Sequence, residues 1–191
     1  MVEYKIKNEI TRVCDELNLP TVVKEEAVKL YEAVSSNNLL RGRTIQGAVA
    51  TAVYIACRKY NIPRTLDEIS RVTGVDQNTI INYFRAFVEK LSIKLPPVDI
   101  KAYVVRIGHE LNLSEETIKK AIEIAERAKG VSMGRDPNGV AAASIYLASI
   151  QAEKVDYNKL LEVAGITPPT LRSRLKEIVK ALKIEVPPQY L

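Results

Sequence analysis

The two halves of this chain repeat each other. Glu16-Leu17-Asn18-Leu19 returns as Glu110-Leu111-Asn112-Leu113, and Gly42-Arg43 returns as Gly134-Arg135. Gly47, Ala50, Tyr54 and Ala56 have counterparts in Gly139, Ala142, Tyr146 and Ala148. Further on, Gly74, Thr79 and Leu91 pair with Gly165, Thr170 and Leu182, and Pro96-Pro97 with Pro187-Pro188. The matches keep one order while the offset falls from 94 to 92 to 91, which chance does not produce. The fold must therefore be built twice, over residues 1–95 and 96–191. The segment Ser92 to Val98, whose prolines cannot continue a helix, joins the halves.

Each half reads as five helices. In the first, Ile6, Ile10, Val13 and Leu17 keep helical spacing, as do Val23, Ala27, Leu30 and Val34. Gly47 to Cys57 is apolar on nearly every side and built from small residues, the pattern of a helix surrounded by others; Gly139 to Ile150 matches it. Thr65-Leu66-Asp67-Glu68 is a capping box for a fourth helix that Gly74 ends. Asp76 can cap the fifth, with Ile80, Phe84, Phe87 and Leu91 facing inward. No useful stretch alternates with period two. The expected fold is all-α: two tandem five-helix domains, each around a central buried helix.

The last two helices of each half have the form of a helix-turn-helix. Val75 and Ile80 follow Gly74 at the locking offsets, and Ile166 and Leu171 follow Gly165 in the same way. In the second half the buried stripe is Leu171, Leu175, Ile178 and Leu182. At 100° per residue, Pro169, Arg172, Ser173, Lys176 and Lys180 gather on the other side. That face has three cations and no acid. The matching face of the first half, Asn78, Ile81, Asn82, Arg85 and Glu89, is net neutral. A recognition helix enters the major groove by its N-terminal residues while cations further along meet phosphates, so the second half is the better candidate for reading DNA. Thr167 can cap this helix, with Pro168 and Pro169 in positions whose N–H groups have no helical partner.

Composition excludes other classes. There are 28 Lys+Arg against 23 Asp+Glu, a net charge of +5 that divides as +3 over 1–97 and +2 over 98–191. Roughly balanced charge in both halves argues for a specific partner surface rather than a polybasic tail. The lone His109 has no His or Cys at metal-ligand spacing, and no glycine loop precedes Lys-Ser/Thr. No metal or other cofactor and no catalysis are expected; the enzymatic alternative would rest on His109 or Cys57. Cys14 and Cys57 stand far apart, as in a reducing compartment, and Gly47 to Cys57 is about half a membrane span. No membrane association is expected. Arg41-Gly42-Arg43, Arg58-Lys59 and Arg64 gather in the first half and suit phosphates or an acidic protein surface.

Arg41-Gly42-Arg43-Thr44, Tyr54-Ile55-Ala56-Cys57-Arg58 and Ile62 through Ile69 resemble the first cyclin-like repeat of the transcription factor B family, archaeal TFB and eukaryotic TFIIB. Ala141 to Ser149 and Val163 through Lys176 resemble the second. The lean chain is more similar to the archaeal factor. The resemblance implies a non-enzymatic, monomeric initiation-factor core that binds TATA-binding protein and promoter double-stranded DNA, with RNA polymerase as a partner of the intact factor. In it, the second repeat reads the element upstream of the TATA box and orients preinitiation complex assembly. Pro169 and Arg172 fall on base-reading positions and Arg43 on a first-repeat DNA contact. Arg135, Thr167, Thr170, Ser173, Arg174, Lys176 and Lys180 complete the expected DNA-binding set. Arg41, Arg58 and Arg64 are the cations expected to face TATA-binding protein. Localisation would be cytoplasmic and nucleoid-associated in an archaeon, nuclear in a eukaryote.

Three departures qualify this. The family's N-terminal zinc ribbon and polymerase-recruiting segment have no match here, so a core fragment or truncated paralogue is expected. Pro169 replaces a usual Val, and acids enter at Asp136 and Asp156, so an altered upstream-element preference is expected. The rival reading is a cyclin-type protein-interaction module without DNA binding, which does not require a cationic fifth helix.

Overall fold

A computed structural model of the chain describes residues 2–130, 136–150 and 152–190. The described residues form ten α-helices and a terminal 3-10 turn, with no strand. Two compact units divide at Pro97/Val98, two residues beyond the boundary drawn from the repeat. The first holds α1 (Val2–Glu16), α2 (Thr21–Ser36), α3 (Ile45–Lys59), α4 (Leu66–Thr73) and α5 (Gln77–Lys90). The second holds α6 (Ile100–Glu110), α7 (Glu115–Arg127), α8 (Pro137–Ser149), α9 (Tyr157–Ala164) and α10 (Pro168–Leu182).

In the first unit α3 touches α1, α2, α4 and α5; in the second α8 touches α6, α7, α9 and α10. Every residue from Gly47 to Cys57 is buried, and so are Pro137 to Ser149 apart from Tyr146. Small side chains make this possible, because Ala48, Ala50, Ala52 and Ala56 let four helices approach one axis. A larger side chain at any of them would overpack the core, at about 1–3 kcal/mol. Inside these helices Thr51 and Ser144 donate their hydroxyls to the carbonyls of Gly47 and Val140, one turn back, so no buried oxygen is left unpaired.

The helix ends form as the local residues dictate. Thr65 accepts the Glu68 N–H at 3.0 Å while the Glu68 carboxylate accepts the Thr65 N–H at 2.7 Å, the expected capping box. Gly74 and Gly165 both end their helices with φ near +70° and +62°, a conformation that disfavours any Cβ. Asp76, Asp156 and Thr167 then accept from the N–H groups of Thr79, Lys159 and Thr170. Each unit thereby ends in a tight corner with one long helix projecting from it. On α5 the inward residues Ile80 and Phe87 are fully buried, whereas Phe84 and Leu91 are only half-buried.

Candidate nucleic-acid interface

The corner between α9 and α10 presents one face to solvent. Leu171, Leu175 and Ile178 are buried to within 1% and hold α10 against α8; Leu182 is half-buried at the helix end. Pro169, Arg172, Ser173, Lys176 and Lys180 are all exposed, as the 100° spacing requires. Among the described residues Arg172, Lys176 and Lys180 form no ion pair. Three positive charges therefore stand on one side of a helix, and no acid among the described residues pairs with them. The tip of α10 is stiff: Thr167 caps it, Pro168 and Pro169 fill its first turn, and the Thr167 and Thr170 hydroxyls bond to each other at 2.9 Å. Those prolines remove two N–H donors, so an anion at this tip meets side chains rather than a bare helix end.

Arg174 belongs to another surface. It is 14% exposed, its stem crosses Gly139 of α8, and its guanidinium is paired with Glu177. A charge held this way inside the fold is not part of the solvent-facing set. Arg135 lies outside the described residues. Asp136 stands at the N-cap position of α8 without a capping bond to the backbone and accepts from the Asn138 side chain at 3.2 Å.

The cations of the first unit are not one cluster. Arg43 precedes α3 and Arg58 ends it, about 20 Å apart along the axis. The Arg43 guanidinium donates to the Leu39 carbonyl at 2.8 Å and lies 5.5 Å from the Tyr83 ring and 5.8 Å from that of Phe87. Arg58 is half-buried, with its guanidinium 5.8 Å from the centre of the Phe84 ring. Lys59 is tied to Glu26 at 2.6 Å. Arg64, expected to face a partner protein, instead donates two bonds to the Leu17 carbonyl at 3.3 and 3.0 Å and a third to Pro63. It closes the C-terminal end of α1, where unpaired carbonyls would otherwise meet the core. Only Arg41 of this set is both exposed and unpaired.

Comparison with known proteins decides the family. The transcription factor TFIIB repeat matches twice, at residues 4–90 and 93–181. The chain belongs to the TFIIB family. Over 185 residues it is 42% identical to transcription initiation factor IIB of Sulfurisphaera tokodaii and 41% identical to that of Saccharolobus shibatae, in each case across 95% of this chain and 60% of the relative. Over 182 residues it is 42% identical to the factor of Methanococcus maripaludis, across 94% of this chain and 54% of the relative. The chain thus spans between half and two thirds of the length of these three relatives.

The TFIIB family is non-enzymatic; the two groups that an enzymatic reading would need are Cys57 and His109. Burial pushes the Cys57 thiol up to about 12 and the Cys14 thiol up to about 11, so neither is a nucleophile at neutral pH. His109 is exposed at the end of α6 with its Nε2 3.2 Å from Glu115. Among the described residues no group of three His, Cys, Asp or Glu could hold a metal, and no helix is long and apolar enough to cross a membrane. Sequence reasoning missed Tyr83 as the platform for Arg43 and Glu177 as the partner of Arg174. The second had a visible signal in its three-residue spacing on a helix. The first had none, because the two side chains meet from positions forty residues apart.

Proposed function

We propose that this TFIIB-family core joins TATA-binding protein to promoter DNA. In this reading the first repeat, 1–95, docks and the second, 96–191, reads the element upstream of the TATA box, which orients preinitiation complex assembly. RNA polymerase is then the partner of the full-length factor, and the core acts as a monomer inside the cell.

The observation that carries the reading is the exposed, unpaired row of Arg172, Lys176 and Lys180 beside Pro169 and Ser173. In this reading Arg172, nearest the tip, reaches a base edge, and Lys176 and Lys180, one and two turns on, meet phosphates. Arg41 and the half-buried Arg58 are the first-repeat cations that this reading turns to an acidic protein surface, while Arg43 and Arg64 are largely used within the fold. The rival, a protein-only cyclin-type module, has one observation in its favour. Among the described residues the large exposed apolar side chains Tyr4, Val22, Ile45 and Tyr60 are all on the first repeat. They fit equally well a first repeat that docks on TATA-binding protein.

A gel shift with an archaeal TATA-binding protein and a TATA duplex tests the proposal. The expected outcome is a supershift at low salt that weakens on the order of a hundredfold by moderate salt, as neutralising about four to six phosphates requires. No supershift at low salt overturns it.

A further inference from the structure

Arg174 lies on the wrong side of α10 to share the DNA face. It is two positions from Arg172, which at 100° per residue turns their side chains nearly opposite. The structure shows what it does there. A Cβ built on Gly139 would stand 3.3 Å from Arg174 Cγ and 3.5 Å from Thr170 Cγ2, so α10 rests on the bare backbone of α8 at this point. The aliphatic stem of Arg174 fills that contact and its guanidinium turns along α10 to Glu177, which is itself only 31% exposed. Asp136, at the head of α8, is the second acid within electrostatic range of the same guanidinium. The charge is thus held by the fold and cannot swing out to a phosphate without breaking its pair with Glu177.

We propose that the Arg174–Glu177 pair, seated on Gly139, is a positioning device that sets the rotation of α10 and thereby the aim of Arg172. The proposal rests on the DNA-reading role given to α10 above. Geometry makes the device matter. A side-chain tip some 6 Å from the helix axis moves by about 2 Å when the helix turns by roughly 20°, which is enough to lose a hydrogen bond to a base edge. Phosphate contacts by the flexible Lys176 and Lys180 tolerate the same rotation. Loosening the pair should therefore erode sequence discrimination before it erodes affinity.

The test compares Arg174→Met, which keeps the stem and removes the charge, with Glu177→Gln, which removes the partner and leaves the arginine. Each is measured in the complex with TATA-binding protein, on duplexes with the best-bound and with a scrambled upstream element, across a salt series. Both variants are expected to reduce the ratio of the two affinities about fivefold, as coupled neighbours do. The salt slope should stay that of the unmodified chain, because no phosphate contact is lost. Loss of discrimination in Arg174→Met alone, with a slope smaller by about one, overturns the proposal in favour of a direct DNA contact. Full discrimination in both variants, or an equal loss on both duplexes, overturns it as well. An unmodified chain that binds both duplexes equally would instead refute the reading role of α10. Should Arg174→Met fail to fold, Glu177→Gln decides, because a direct contact leaves its discrimination intact.

Discussion

Where the last long helix crosses the buried one, the first repeat places Tyr83 against Gly47 and the second places Arg174 against Gly139. The two side chains occupy equivalent positions, 91 residues apart. Tyr83 accepts the Thr44 N–H at 3.0 Å, and its ring, with that of Phe87, draws the Arg43 guanidinium down onto α5. In the second repeat no aromatic stands at the crossing, and the arginine itself fills it. The outward faces then differ too: Ile81, Arg85 and Glu89 on α5 stand where α10 carries Arg172, Lys176 and Lys180. One fold, used twice, can hold its long helix by a rigid ring or by a jointed stem, and the outward face is set independently.

The sharpest way to break this comparison is at the glycines. A Cβ at Gly47 would lie 2.5 Å from the Tyr83 ring and 2.8 Å from the Thr44 hydroxyl, whereas at Gly139 its nearest neighbours are the movable Arg174 stem at 3.3 Å and the Thr170 methyl at 3.5 Å. Gly47→Ala is expected to cost about 2–3 kcal/mol and Gly139→Ala less than about 1 kcal/mol, since alanine also favours a helix interior. Urea unfolding, with hydrogen exchange assigning the loss to a repeat, measures both. Equal costs would mean that ring and stem yield alike.

The outward faces give the next largest effect. Arg172→Ala should lose about 1–3 kcal/mol of discrimination between cognate and scrambled upstream DNA, while Arg85→Ala in the first repeat should leave that ratio unchanged. Binding titrations of the complex with TATA-binding protein on the two duplexes check it; an equal loss from both variants would erase the asymmetry between repeats.

A smaller effect follows from the thiols, both of which are in the first repeat. Gly108 and Ser149 stand at the corresponding places in the second. Burial raises the folded pKa of Cys14 and Cys57 to about 11 and about 12, so the folded chain holds protons that an unfolded one releases above pH 9. Stability from this source is intact below the unfolded pKa and is lost as pH rises from about 9 toward the folded values, by up to about 1.4 kcal/mol per pH unit per thiol. Exchange protection of the first repeat should fall over that range, and Cys57→Ala should flatten the fall.

The smallest contrast lies at the caps of α5 and α10. The side-chain bond from the Thr79 hydroxyl, and then the Thr79 N–H, hold the Asp76 carboxyl below its ordinary value. A carboxyl depressed in the folded state stabilises above its unfolded pKa and loses that contribution as pH falls through about 4 and below. Thr167 cannot titrate. Thermal unfolding between pH 5 and 2.5 should therefore show less acid sensitivity in Asp76→Thr than in the unmodified chain.

How much of this was legible in the residues differs between local and distant features. The buried helices, the capping box at Thr65, the left-handed Gly74 and Gly165 and the exposed row on α10 all came from patterns within a few positions. Such features depend on backbone hydrogen bonds and side-chain spacing inside one element, which periodicity encodes directly. The cations did not follow. Arg43, Arg58 and Arg64 are as basic and as near a helix end as Arg41, yet each of the three meets a group far along the chain.

From its own residues, then, this protein was determined to be a twice-used five-helix unit with one unopposed cationic face. Only the tertiary structure decided which charges remain available. A guanidinium goes wherever an unpaired carbonyl or an aromatic face needs it, as Arg64 meets Leu17 from 47 positions away and Arg43 meets Tyr83 from 40. Such partners are neighbours in space and not in sequence, so no local pattern records them.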